Sequence, residues 1–186
     1  MARIALDIDS TLHHYWDLLQ EVARERYGVE LPYEEQRDWG ITALERDALI
    51  HCVEETHSDE NIEAAVPYPG AVDTVRGWHE AGHWIHVTSH RRGSAGPATA
   101  RWLEDIGMPY DDLHCSFDKV SRCVELGIDL LIDDSPVNIA RAREGGIRAA
   151  TIIHPWNEDL IGDGVIGGST WPELRQRLEP LLATSE

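Results

Sequence analysis

The tract Asp7-Ile8-Asp9-Ser10-Thr11 sets two carboxylates at i and i+2, with two hydroxyls directly behind them. Thr88-Ser89, Lys119 and Asp133-Asp134 follow in that order along the chain. Carboxylates at i and i+2 of a loop can point the same way. With a third arriving from another segment they form a hard oxygen site suited to Mg²⁺, which takes one or two carboxylates together with waters and phosphate oxygens. Hydroxyls and an ammonium beside such a site suit the oxygens of a phosphoryl group. A single aspartate after a strand is ordinarily a turn former or a helix cap. It is the joint, ordered occurrence of these groups that points to chemistry.

Such groups need elements that bring them to one place. Arg3 to Ile8 is a short apolar run ending in acids, as expected of a buried parallel strand. From Pro69-Gly70 onward the pattern alternates. Helices are expected over Ala71 to Glu80, Ala98 to Ile106, Lys119 to Leu126, Pro136 to Glu144 and Trp171 to Leu182. Strands are expected over Trp84 to Val87, Leu113 to Ser116, Asp129 to Ile132 and Ile147 to Ile153. The Gly-rich stretch Ile161 to Ser169 reads as a loop. Alternation of this kind predicts an α/β fold, a doubly wound parallel sheet of Rossmann-like form. Ligands of such sheets bind at the carboxyl ends of the strands, where the aspartates, Thr88 and Ser89 fall. Residues 15–66 break the alternation with helical spacing only (Leu18, Leu19 and Val22, then Leu44, Ala48, Leu49 and Val53), and Ser58 opens a further helix. The expected division is a core of 1–14 and 67–186 with a small helical cap, 15–66, inserted after the first strand.

The ordered set resembles the haloacid-dehalogenase-like superfamily of phosphotransferases over the whole chain. Asp7-Ile8-Asp9-Ser10-Thr11 matches the Asp-x-Asp-x-Thr loop, Thr88 the second motif, Lys119 the third, and Ile132-Asp133-Asp134 the acidic fourth. The cap and Asp133-Asp134-Ser135-Pro136 are most similar to small 5′-nucleotidases of the 5′(3′)-deoxyribonucleotidase group and their bacterial relatives. The resemblance implies that Asp7 is the nucleophile, forming an aspartyl-phosphate. It implies that Asp9 is the acid for the leaving group and then the base for water. Metal ligands would be Asp7, the Asp9 backbone carbonyl and Asp134, with Asp133 behind them; the two acids of that pair could exchange roles. Thr88 and Lys119 would hold the phosphoryl oxygens, helped by the Ser10 and Thr11 end of the loop and by Ser89. Asn138 would orient Asp134 through a hydrogen bond. Apart from the resemblance, Arg91 and Arg92 directly follow Thr88-Ser89-His90, where an arginine either pairs with phosphate or with cap acids or lies in a solvated loop.

Asp9 argues against a dehalogenase, which lacks a second loop acid. The absence of lysine from 15–66 removes a Schiff-base phosphonatase. Response-regulator receivers carry similar groups in the wrong order. A phosphomutase shares all four motifs and stays open. The expected activity is Mg²⁺-dependent hydrolysis of a small phosphomonoester, foremost a nucleoside 5′-monophosphate. The alternatives are a sugar phosphate or biosynthetic intermediate as substrate, or a catalytically silent binding module. Tyr15, Trp16, Tyr33 and Trp39 either stack on a base or pack the cap, with Trp39 retained as a substrate contact and Trp16 leaning to the core. His13 and His14 have a substrate contact and a solvated or capping role open to them. His51 and His57 read as surface residues, and His86 as a core histidine.

Composition fits this reading. Among 186 residues, 16 basic groups face 34 acidic ones, a net charge of −18, and Lys119 is the only lysine. Residues 15–66 hold 14 acids against four arginines, a net of −10. Such a surface opposes binding to polynucleotides or anionic membranes. The N-terminus lacks a signal-peptide pattern and no run reaches membrane-spanning length, so the expected location is cytoplasmic. Cys52, Cys115 and Cys123 lack metal or disulfide spacing and read as free thiols. Oligomeric state is left open, a homodimer included.

Overall fold

Short apolar runs covered on both faces make the sheet. In β1 (Arg3–Leu6) the side chains of Ile4, Ala5 and Leu6 are fully buried. The partners are β2 (Trp84–Ser89), β3 (Asp112–Cys115), β4 (Leu130–Ile132), β5 (Arg148–Ile152) and β6 (Val165–Gly168). All pairings are parallel, in the order β3-β2-β1-β4-β5-β6. Leu6 stands level with Val87 on one side and Ile132 on the other. The connections reverse direction beside β1, and the crevice at its carboxyl end is where such sheets bind ligands. The computed structural model describes residues 1–183.

Three helices lie within residues 15–66, α1 (Tyr15–Tyr27), α2 (Arg46–Thr56) and α3 (Asp59–Glu63), and amphipathic helices α4 (Ala71–Glu80), α5 (Gly96–Asp105), α6 (Lys119–Glu125), α7 (Pro136–Glu144) and α8 (Trp171–Ala183) cover both faces of the sheet. Trp78, Trp102 and Trp171 from three of these helices fill one core with Ile4, Leu6, Ile85 and Val87. Helix α7 shows how local sequence fixes a boundary. Ser135 caps it, its hydroxyl accepting from the Asn138 N–H, and Pro136 occupies the first turn, where no N–H is required.

The stretch read as a loop, Ile161 to Ser169, contains strand β6. Its sequence Val-Ile-Gly-Gly hides the strand pattern, yet it pairs with β5 from Ala149↔Val165 to Ile152↔Gly168. Close packing explains the glycine. A Cβ on Gly168 would lie 2.6 Å from the Leu174 backbone nitrogen, so only glycine lets α8 approach this edge strand.

Within residues 15–66, Trp16, Leu19, Val22, Leu31 and Cys52 form a separate apolar cluster, which Trp156 of the core completes. The far end of the insertion joins the main core through Ile62. Core arginines meet insertion acids at the boundary: Arg92 pairs with Glu54, and Arg101 with Asp59 and Glu63.

Candidate active site

The carboxyl ends of β1, β2 and β4, with the N-terminus of α6, bring the expected residues together. Asp7, Asp133 and Asp134 are buried, each offering a carboxylate oxygen within 4.8 Å of the others. Lys119 opens α6 and reaches back into this group. Its Nζ donates to Asp7 Oδ1 at 2.5 Å and lies 2.7 Å from Asp133 Oδ2. Burial works against the charge on Lys119, but Asp133 and Asp7 outweigh it and raise the pKa.

The three carboxylates differ in what is left for a ligand. Asp133 is used up: its oxygens accept from the Ser135 N–H, the Asn138 side-chain amide and Lys119. Asn138 therefore braces Asp133, where a bond to Asp134 was expected. Asp7 and Asp134 face each other. Burial pushes the Asp7 carboxyl up to about 7, with Lys119 opposing and Asp133 and Asp9 adding. Burial, then Asp7 and Asp133, hold Asp134 well above the usual carboxylate range. Two buried carboxylates in contact, with one ammonium for three acids, lack positive charge. A hard divalent cation between Asp7 and Asp134 fits that deficit.

Asp9 lives in the opposite environment. Arg91, 1% exposed, donates through Nε to Asp9 Oδ2 (3.2 Å) and through Nη2 to Oδ1 (2.7 Å). Its third nitrogen reaches Thr99. Ser89 Oγ donates to Oδ2 at 3.3 Å, and His13 Nε2 lies 3.0 Å from Oδ1. Burial alone would raise the Asp9 pKa, but Arg91 and His57 hold it well below the usual range. The Arg91 fork thus goes to Asp9, while Arg92 takes the cap acid. His57, read as a surface residue, sits between α2 and α3 with its Nε2 3.3 Å from Asp9 Oδ2. Its neighbours in sequence are polar, and only the folding of the insertion over the core turns it inward.

Two hydroxyls, Thr11 Oγ1 in the loop after β1 and Thr88 Oγ1 near the end of β2, are fully buried without a protein partner. An unmade hydrogen bond costs about 1–3 kcal/mol, so such groups mark where a ligand oxygen can be received. Ser10 has φ of 60°, the one non-glycine residue of positive φ among the described residues. For L-residues this conformation costs of order 1–2 kcal/mol. It closes a tight turn directly after Asp7, in which the Thr11 and Leu12 N–H groups both return to the Ile8 carbonyl.

A cavity of about 430 Å³ opens above, lined by Asp7, Asp9, Lys119 and Asp134 at one end. Trp16, Leu19, Trp39, Ile41 and Trp156 line the other. The aromatic alternatives resolve individually. Trp16 is buried and donates to the Leu31 carbonyl; Tyr15 bonds Thr56, and Tyr33 bonds His154. Trp39 keeps 44% of its surface exposed on the cavity. Phe117, two residues before Lys119, shares the lining at 68% exposure and had no distinguishing spacing in the sequence. Nor did His154, Trp156 and Asn157, whose contacts with the site are all long-range.

No family model matches the chain. A curated protein of Chlorobaculum tepidum named "Putative 5′(3′)-deoxyribonucleotidase" is 29% identical over 156 residues, covering 77% of this chain and 75% of that one. Among solved structures, a haloacid dehalogenase-like hydrolase from Streptococcus pneumoniae superposes with a TM-score of 0.70 at 16% identity, covering 97% of this chain and 98% of that chain. A HAD-family hydrolase from Deinococcus radiodurans R1, solved with bound phosphate and sodium, gives 0.69 at 17% identity, covering 100% and 99%. The chain thus shares its fold with haloacid-dehalogenase-like hydrolases, and that fold draws the four motifs to one end of the sheet.

Proposed function

We propose that this protein is a divalent-cation-dependent phosphomonoesterase that works through an aspartyl-phosphate on Asp7 and takes a nucleoside monophosphate. The observation that carries the reading is the Asp7 carboxylate itself. It is buried beside Lys119 and lines a largely apolar cavity, and the buried Thr11 and Thr88 hydroxyls lack a protein partner.

Asp7 and Asp134 would hold Mg²⁺, and the Asp9 carbonyl is the third ligand that the family resemblance supplies. The ion would provide the positive charge that lets a phosphate dianion enter an acidic site. Lys119 and the two threonine hydroxyls then receive phosphoryl oxygens. An Asp7 oxygen attacks phosphorus, the bond to the leaving oxygen breaks, and that oxygen takes a proton from Asp9. Water then attacks the same phosphorus, giving its proton to Asp9 and releasing inorganic phosphate and free Asp7. Arg91 and His57 hold Asp9 ionised, the form needed for the second step. His13 Nε2 and His57 Nε2, 3.0 and 3.3 Å from its oxygens, are the side chains through which a proton would reach Asp9 for the first.

Substrate choice rests on the cap, residues 15–66, together with Phe117. Trp39 and Phe117 present exposed rings on one cavity, and a flat base stacked on such rings gains about 1–3 kcal/mol each. The name of the Chlorobaculum relative points the same way. A panel of nucleoside, sugar and simple monophosphates, with Mg²⁺ and with chelator, tests the proposal. Nucleotides should turn over best, with chelator or Asp7→Asn lowering kcat by about 10⁴ or more. Equal turnover by Asp7→Asn and wild type would remove the aspartyl-phosphate. Preference for sugar phosphates, unaffected by Trp39→Ala or Phe117→Ala, would remove the nucleotide.

A further inference from the structure

A buried segment outside the four motifs holds the nucleophile loop from behind. His154 follows β5, is 3% exposed and places Nε2 2.6 Å from the Ser10 carbonyl oxygen. Its ring lies flat on Trp156, with centroids 4.5 Å apart and planes at 5°. Its other nitrogen, Nδ1, is 2.6 Å from the hydroxyl of Tyr33 on the insertion.

The chemistry of these partners fixes the direction of both bonds. A carbonyl oxygen can only accept, so Nε2 carries the hydrogen. Burial pushes the His154 pKa down to about 4, so at neutral pH the ring has one N–H and Nδ1 is an acceptor. Tyr33, its own pKa pushed up to about 12 by burial, therefore donates. A directed chain runs from the Tyr33 O–H, through the His154 ring, to the carbonyl of Ser10. Ser10 is the residue in the left-handed conformation, and its turn sets where the loop amides point. Trp171 Nε1 likewise donates to the Thr11 carbonyl from α8. Both carbonyls are thus held by buried side-chain donors from outside the loop. Trp156 Nε1 and the Asn157 side-chain amide grip the Asp134 carbonyl in the same manner.

We propose that His154 is a positioning residue for phosphoryl transfer, and that Tyr33 makes the geometry of the nucleophile loop depend on the placement of the insertion. The kinetic part rests on the phosphatase reading; the structural part does not. His154 touches no reacting atom. It acts by holding Ser10 in a conformation that the chain would otherwise leave.

The test uses three substitutions in the full chain. His154→Phe keeps the stack on Trp156 and removes both hydrogen bonds. His154→Gln restores a donor toward Ser10. Tyr33→Phe removes a single hydroxyl and leaves the fold undisturbed. With the best monophosphate of the panel, His154→Phe is expected to lower kcat about thirtyfold or more while KM moves less than about threefold, and His154→Gln to recover most of the loss. Tyr33→Phe should cost about fivefold alone and less than about twofold on top of His154→Phe, because the two share one chain of bonds. Independent, multiplicative losses would overturn the coupling, and a kcat within twofold of wild type for His154→Phe would overturn the positioning role. Hydrogen exchange of the Thr11 and Leu12 amides, both bonded to the Ile8 carbonyl, reads the same idea without substrate. About tenfold faster exchange in His154→Phe is expected. Unchanged exchange in His154→Phe and Tyr33→Phe refutes the inference even where no phosphomonoester is hydrolysed.

Discussion

Asp7 and Asp9 are two residues apart in one loop and are electrostatic opposites. Asp7 faces two further carboxylates and shares a single ammonium with Asp133. Asp9 faces a buried guanidinium, two imidazoles and a hydroxyl. Both are desolvated, so burial does not separate them; the sign of the neighbours does. One side lacks positive charge, and under the proposed function that deficit is met by a cation. The other is already neutralised and is built to hold its carboxylate still. Strand β1 ends at Leu6, so Asp7 and Asp9 lie in the turn beyond it, where an i, i+2 spacing no longer confines both side chains to one face.

The sharpest way to break the comparison is to remove one partner on the satisfied side. Asp9→Asn leaves the Arg91 guanidinium buried with no counter-charge, and breaking a buried pair in this way costs about 3–5 kcal/mol. Arg91→Met should cost a comparable amount by stranding Asp9 among weaker donors. The double variant should be more stable than the sum predicts, since neither charge is then left alone. Chemical denaturation of the metal-free protein measures all three. A loss under about 1 kcal/mol for Asp9→Asn would mean that the pair is an incidental contact.

The sequence carried one side of this contrast far better than the other. Asp7, Asp9, Thr88, Lys119 and Asp134 were legible because their order along an alternating chain is itself a pattern, and strand ends are where sheets bind ligands. Arg91 stood out too, but its target did not. An arginine after Thr88-Ser89 reads the same whether it faces solvent, phosphate or a carboxylate 82 residues away. His57 was misread because its inward position comes from a long-range contact with Asp9, which leaves no periodic trace. His154, Trp156 and Asn157 were invisible for a related reason: they act on backbone carbonyls, which any residue supplies, so no side-chain spacing announces them. Most of the fold was legible from strand and helix periodicity. Strand β6 was not, because the glycine that α8 demands there erases the β pattern.

A smaller and opposite effect is expected on the deficient side. Asp7→Asn removes one of the crowded carboxylates while Lys119 keeps Asp133, so the metal-free protein should gain about 1–3 kcal/mol of stability at pH 8. The pH dependence follows from the direction of the shift. A carboxyl raised from 3.8 to about 7 in the folded state holds its proton across that interval, whereas the unfolded chain has lost it. Folding is then penalised increasingly as pH rises through the interval, and not at all below 3.8. The gain from Asp7→Asn should accordingly fade by pH 4. Asp9 bends the curve the other way: its folded pKa is depressed, so its contribution is present above 3.8 and is lost as pH falls further. A stability gain from Asp7→Asn that is the same at pH 4 and pH 8 would contradict the crowding of Asp7.

The last contrast lies within the Asp9 side. Arg91 and His57 both approach its carboxylate, but the guanidinium is 2% exposed at its side chain and the imidazole 15%. Arg91 makes two bonds with fixed geometry, whereas His57 makes one long contact through a ring that water also reaches. Solvent screens the second interaction, and pairs of that kind contribute about 0–1 kcal/mol. His57→Gln should therefore change stability by less than about 1 kcal/mol, against the 3–5 kcal/mol expected at Arg91. If Asp9 is held by Arg91 and only touched by the cap, the small effect of His57→Gln should shrink further in high salt, while the Arg91→Met effect stays. A His57→Gln loss as large as that of Arg91→Met, and equally insensitive to salt, would make the cap histidine an equal anchor and dissolve the distinction between the fixed core clamp and the cap contact.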